Sequence, residues 1–221
     1  MKLIYENMEH VLRFCEGYVP ELVVEKKKLF FEMVASLAEQ SNGAQGKFLL
    51  SKSNKPIEFS RYADVIMQFA PFEINRKNLL TKLYTALVQK ALLAENYLKT
   101  GELLAELEMY IHHLAEDFPF ELDCKKLAFG PVLRSVCPEI DVGEKTALEK
   151  IFDYMELVRE FDRDKLFIMI NMRTFFSDAD MEIFAESACL HDFKVLLLES
   201  TSFARLKNVK RYTIDGDLCE F

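Results

Sequence analysis

No apolar run in this chain approaches the ~20 residues needed to cross a bilayer, so a membrane-spanning helix is excluded as the organising element. The start, MKLIYENMEH, meets charge within six residues and is no secretory core. There is no CxxC pair. The five cysteines, Cys15, Cys124, Cys137, Cys189 and Cys219, are scattered and odd in number, which points to reduced thiols in a cytoplasm. No GxSxG elbow occurs. Histidine is scarce, with four in the chain, and the adjacent pair His112 and His113 points to different faces of any helix and cannot easily chelate together. The net charge of −8 argues against a protein that coats nucleic acid with its whole surface. It leaves room for a local basic channel, because a sum says nothing about placement.

Half of the 221 residues are hydrophobic, enough to bury a core in one large domain or two small ones. Short strands are expected at Leu3–Tyr5, Leu22–Val24 and Lys47–Leu50, with a helix over Lys26–Gln40, where apolar residues at 30, 33, 34 and 37 keep helical spacing. The glycines of SNGAQG, residues 41–46, stop that helix. From Asn75 to His113 there is one glycine, Gly101, and no proline. Leucines at 79, 80, 83, 87, 92 and 93 cover most of a helix circumference, so such a helix must be covered on more than one side. Asn75–Lys99 alone would run ~37 Å, and a second helix, Glu102–His113, would begin after Gly101 and return antiparallel. Residues 116–140 are broken by Pro119, Gly130, Pro131 and Pro138, and Glu144–Phe161 is helical again. The expected fold is α/β: residues 1–73 and 144–221 form a mixed head, and residues 74–143 form an inserted helical domain.

The stretch KLFIMINMRTFFSDADMEIF, Lys165–Phe184, predicts a buried strand, a break and a helix. Leu166–Ile170 and Val195–Leu198 are continuous apolar runs, as in parallel strands buried on both faces. Ser177 with Asp180 three residues on predicts an N-terminal capping box. Nucleotide hydrolases often carry a metal-binding acid at such a strand end, and here the residue is Asn171. The phosphate cradle, GxxxxGK followed by Ser or Thr, is also missing. Its nearest approach, NGAQGKF at 42–48, has the first glycine two residues too close, Phe48 after the lysine, and a strand where a helix belongs.

Two charge clusters stand out. Glu116, Asp117, Glu121 and Asp123 place four carboxylates in eight residues around FPF, where proline prevents a regular helix. Oxygen ligands converging from irregular backbone suit calcium; the plainer alternative is a solvated acidic turn. Ile74–Ala94 holds Arg76, Lys77, Lys82 and Lys90 and no acid. Arg76, Lys82 and Lys90 fall within a ~120° arc at helical spacing, either a phosphate-contacting stripe or an ordinary solvated face.

Residues 146–200, TALEKIFDYMELVREFDRDKLFIMINMRTFFSDADMEIFAESACLHDFKVLLLES, carry a recognisable order: LEKIFDYMELV, the strand ending in Asn171, FFSDADMEIF, then VLLLES. Further back stands FAPFEINRKNLLTKLYTAL, residues 69–87. In order and spacing, residues 45–200 resemble the Csn-two family, the accessory adaptation protein of type II-A CRISPR systems; the N-terminal segment diverges. The resemblance implies a degenerate nucleotide-hydrolase-like head without a working phosphate loop, and a helical leg. It implies a non-enzymatic homotetrameric ring that binds double-stranded DNA at ends and threads it. It further implies calcium as the supporting ion, and the adaptation integrase complex and RNA-guided effector nuclease of the same system as partners. Asp117, Glu121 and Asp123 match acidic positions of that family; Pro119 stands where an acid is usual, and no acid follows near Phe129. Against this stand a nucleotide-dependent enzyme, opposed by the absent cradle, and a protein scaffold that makes no DNA contact.

Overall fold

The computed structural model describes residues 1–6, 8–14, 17–119, 123 and 125–221. The first elements are β1 (Lys2–Tyr5), β2 (Leu12–Arg13), β3 (Val19–Val24), α1 (Lys27–Ser41), β4 (Phe48–Lys52), β5 (Lys55–Pro56), α2 (Phe59–Tyr62) and β6 (Ala63–Ile66). Three helices follow: α3 (Lys77–Ala91), α4 (Ala94–Ala115) and α5 (Phe129–Val136). The chain continues with α6 (Ala147–Phe161), β7 (Leu166–Ile170), a 3-10 turn (Met172–Thr174), α7 (Asp178–Leu190), β8 (Lys194–Glu199) and β9 (Val209–Ile214). Contacts divide it into two compact units, Met1–Glu73 with Glu144–Phe221, and Ile74–Gly143. No helix among the described residues is long and apolar enough to cross a membrane.

The first unit is mixed α/β. Its main sheet is parallel, in the order β6-β7-β8-β3-β9. Every residue of β3 and β7 is buried; β7 is accordingly an unbroken apolar run with no alternation, and β3 is apolar but for Pro20 and one acid, Glu21. One face packs Leu22, Val24, Ile168, Leu196 and Leu198 with Met33 and Leu37 of α1. The same core takes in Leu3, Leu12, Phe48 and Leu50 from a small antiparallel sheet, β2-β1-β4-β5. Each such leucine, fully buried, contributes roughly 1.5–3 kcal/mol of transfer free energy.

Two helices of this unit start on reciprocal caps. The Thr146 side chain accepts from the Glu149 N–H while Glu149 accepts from the Thr146 N–H at 2.8 Å. Ser177 and Asp180 do the same for α7. Each box satisfies N–H groups that a helix start leaves without intrahelical partners.

The second unit corrects the expected helix boundaries. The first long helix ends at Ala91, and Leu93 is extended with φ −67° and ψ 150°. Gly101 lies inside α4 instead of opening a helix. Two side chains hold the break: Asn96 Nδ2 donates to the Lys90 carbonyl at 2.9 Å and Thr100 Oγ1 to the Ala91 carbonyl at 3.2 Å. A single interior glycine costs only about 1 kcal/mol, too little to stop a helix. The segment expected to be broken also contains α5. Pro131 sits in its first turn, where the missing N–H has no intrahelical role. The helix ends at Cys137 in the left-handed region, before Pro138. Asn75 fixes the far side of this unit, donating to the Ile140 carbonyl at 3.2 Å and accepting from its N–H at 2.8 Å. No described residue of α4 is buried in the single chain, and Leu98, Leu103, Met109, Tyr110 and Leu114 face solvent.

Candidate functional site

The C-terminal ends of the parallel strands are where an α/β sheet normally binds ligand. Here that region is filled by side chains. Asn171, left-handed at φ 54°, ends β7; its N–H bonds the Leu198 carbonyl at 2.8 Å and its Oδ1 accepts from Ser200 N at 2.9 Å. The residue at the strand end therefore ties β7 to β8. Asparagine suits the position because its short polar side chain tolerates this backbone region.

Beside it lies a buried charge network that sequence reasoning missed. Arg173 Nη1 donates to Glu21 Oε1 at 2.7 Å and Nη2 to Asp178 Oδ1 at 2.6 Å. Its guanidinium lies over the Phe203 ring, 4.9 Å from the centroid. Arg211 covers the other Glu21 oxygen through Nε, and donates to the carbonyls of Phe203 and Ala204. Glu199 Oε1 accepts from Arg173 N at 3.1 Å, while Glu199 Oε2 and Arg173 Nε have no partner among the described residues. Burial pushes the Glu199 carboxyl up to about 7, against the opposing pull of the Arg173 N–H. The available signal was Glu21 and Glu199 themselves: an acid inside an apolar parallel strand requires a partner.

Two places bear on the phosphate cradle that the sequence lacks. The connection from β3 to α1 is two residues, Glu25 and Lys26, too short for a loop that wraps phosphates. The segment 42–48 leaves the C-terminus of α1, the negative end of the helix dipole and the wrong sign for phosphate. Gly46 is required there by packing: a Cβ would lie 2.5 Å from Gln40 Cγ, whose amide donates to the Phe48 carbonyl at 2.8 Å. Lys47 faces Glu32 at 3.5 Å.

Of the four basic candidates, Arg76 is the residue before α3 and is half-buried. Lys77 and Lys90 are exposed at the two ends of that helix, and Lys82 is half-buried between them. Thr81, Thr85 and Gln89 occupy the exposed ridge between Lys77 and Lys90, and the threonine hydroxyls bond back to carbonyls of the preceding turn. The four cations thus share one helix and its entry but not one continuous line. Of the acidic candidates, Glu116, Asp117 and Asp123 are exposed, and Glu121 lies outside the described residues. Glu116 faces His113 Nδ1 at 3.3 Å. Glu108 of α4 accepts from the Leu127 N–H, tying the chain beyond the acidic turn back to the helix. Among the described residues, which leave out Glu121, no group of three His, Cys, Asp or Glu is placed to hold a metal ion.

No curated protein matches this chain at a significant level. The sequence model of one family, described as CRISPR-associated protein (Cas_Csn2), matches residues 40–218. That span runs from the last turn of α1 past β9 and includes the whole second unit, the Asn171 strand end, Arg173 and Glu199. It covers most of the 221 residues and settles kinship: the chain belongs to the Cas_Csn2 family of CRISPR-associated proteins.

Proposed function

We propose that this protein is a non-enzymatic, double-stranded-DNA end-binding component of CRISPR spacer acquisition, assembled as a calcium-stabilised homotetrameric ring that threads duplex. Its partners on this reading are duplex ends, further copies of itself, and the integrase complex and effector nuclease of the same system. The observation that carries the proposal is the family match over residues 40–218. Three features support it. The two-residue β3–α1 connection and the side-chain-filled strand ends suit a head that holds no nucleotide. The apolar side chains of α4, bare in one chain, suit a helix covered by another copy. The positions Arg76, Lys77, Lys82 and Lys90 supply cations with no acid among them in residues 74–94. Calcium rests on the density of carboxylates at 116–123 and on the family resemblance.

The test is a gel shift with linear and with closed-circular duplex, each with and without calcium, on protein whose mass in solution is measured by light scattering. A shift of linear duplex alone, strengthened by calcium, is the expected result. No shift under any condition leaves a scaffold. Measurable ATP turnover revives the enzyme.

A further inference from the structure

We propose that the outer edge of β9 is a docking site for an extended acidic peptide that adds to the main sheet as an antiparallel strand. The inference is independent of the DNA reading. It starts from the ladder between β3 and β9. Val19 N–H donates to the Asn208 carbonyl at 2.8 Å and Glu25 N–H to the Ile214 carbonyl at 2.9 Å, with Val19 opposite Val209 and Val24 opposite Ile214. Both backbone groups of a strand residue point to the same side, and the side alternates along the strand. The even-numbered residues of β9 therefore face β3, and Val209, Arg211 and Thr213 turn their N–H and C=O outward. Thr213 is paired already, exchanging both bonds with Phe221 at 3.1 and 2.9 Å, beside an antiparallel bridge between Ile214 and Glu220. No described strand pairs with the outward groups of Val209 and Arg211. Among the described residues the edge is thus one pair into an antiparallel strand, with the groups beyond it unpaired by any strand.

A groove of about 430 Å³ runs along this open portion, lined by Arg205, Leu206, Val209, Lys210, Arg211 and Phe221, and by Glu21, which is buried and already paired to Arg173 and Arg211. Its chemistry selects the occupant. Residues 205–211, RLKNVKR, carry four cations and no acid. Arg211 is committed to Glu21, but Arg205, Lys207 and Lys210 are exposed, and no acidic side chain among the described residues pairs with theirs. Lys210 Nζ rests instead over the Tyr18 and Tyr212 rings, 5.6 and 5.2 Å from their centroids. Cations on an edge repel a second copy of the same edge and attract an acidic strand. The open backbone groups are both donors and acceptors, which a peptide can match and a phosphate, an acceptor alone, cannot. Leu206, Val209 and Phe221 add apolar wall. A segment alternating acidic and apolar residues meets all three features, in the manner of strand addition.

The probe is an end-blocked hexapeptide of alternating valine and glutamate, titrated into the full ¹⁵N-labelled chain. The proposal expects slowed hydrogen exchange at the Val209 and Arg211 amides. It expects no such protection from the same peptide with alternate amides N-methylated, or with lysine for glutamate. Arg205→Glu with Lys210→Glu, both exposed, should weaken binding about tenfold or more by reversing the field over the groove. Equal binding of the N-methylated peptide overturns the proposal, and so does absence of protection at both amides. If a duplex oligonucleotide protects them and the peptide does not, the groove is a nucleic-acid surface and the proposal is wrong.

Discussion

Arg173 and Glu21, 152 positions apart in sequence, form an ion pair at 2.7 Å with both side chains sealed from solvent. The pair joins the turn after β7 to the middle of β3, so it braces two strands that do not touch directly, with β8 between them. A buried pair is weak evidence of net stabilisation, because both charges lost their water. Its removal from one side is another matter. Arg173→Met leaves Glu21 with Arg211 alone and strips Asp178 of its partner. The expected loss is about 3–5 kcal/mol, read as a lower urea midpoint with an unchanged slope. Adding Glu21→Gln should recover part of it, and a double-mutant cycle gives the coupling. Independent, additive losses would show that the two side chains do not act as a pair.

Glu199 predicts a pH dependence of definite sign. Its carboxyl is raised from an ordinary 4.5 to about 7, burial first among the causes. The folded state then holds a proton that the unfolded chain has released. The contribution to stability is fully present below pH 4.5 and is lost as pH rises through about 7. The limiting slope is about 1.4 kcal/mol per pH unit within that window. Glu199→Gln stays neutral throughout. Its stability curve should be flatter than that of the wild type from about pH 5 to about pH 8, with the variant relatively better at the upper end. Parallel curves would place the protonation elsewhere.

Ser177 offers a smaller effect of known origin. Its hydroxyl caps α7 by accepting from Asp180 N at 3.2 Å. Ser177→Ala should cost about 1 kcal/mol, and Ser177→Asp should retain most of the cap. Denaturant melts of the two variants decide it; equal losses would mean that the hydroxyl matters for something other than the cap.

How much of this was legible follows from where the information sits. The runs Leu166–Ile170 and Val195–Leu198 and the Ser177–Asp180 spacing are local, and local patterns specify local structure. The break at Leu92–Leu93 was not legible, because neither residue is a helix breaker. It is held by Asn96 and Thr100 reaching back from the next helix, and Gly101 was the more conspicuous but weaker signal. The Arg173 network was half legible. Glu21 and Glu199 announced an unmet need inside apolar strands, yet their partners come from turns and strands far off in sequence, and only the assembled sheet brings them together.

The acidic turn yields a prediction about metal. Crowded carboxylates repel one another, and a divalent cation removes that repulsion. Calcium at about a hundredfold over its Kd should stabilise the protein by about 2.7 kcal/mol if one site binds the folded state alone. Glu121→Ala with Asp123→Ala should abolish most of that shift while leaving the calcium-free melting temperature unchanged or raised. Identical melting of the wild type with calcium and with chelator would remove calcium from the proposed function.

The DNA reading is tested by salt. A ring that accepts any duplex needs phosphate contacts and no base reading, so log affinity should fall linearly with log salt. Each phosphate-contacting cation lost should flatten that slope by about one unit. Lys77 and Lys90 are the first choice for substitution, since both are exposed and their replacement by alanine disturbs little packing. The second basic set, Lys47, Lys52, Lys55 and Arg61, is a weaker candidate. Lys47 is engaged by Glu32 and Lys52 by Asp164, so each would give up an ion pair to meet a phosphate. The expected outcome for Lys77→Ala with Lys90→Ala is weaker duplex binding and a flatter slope, with the assembly state unchanged by light scattering. An unchanged slope in that variant, with a flatter one in Lys55→Ala with Arg61→Ala, would move the DNA path off α3 and onto the first unit.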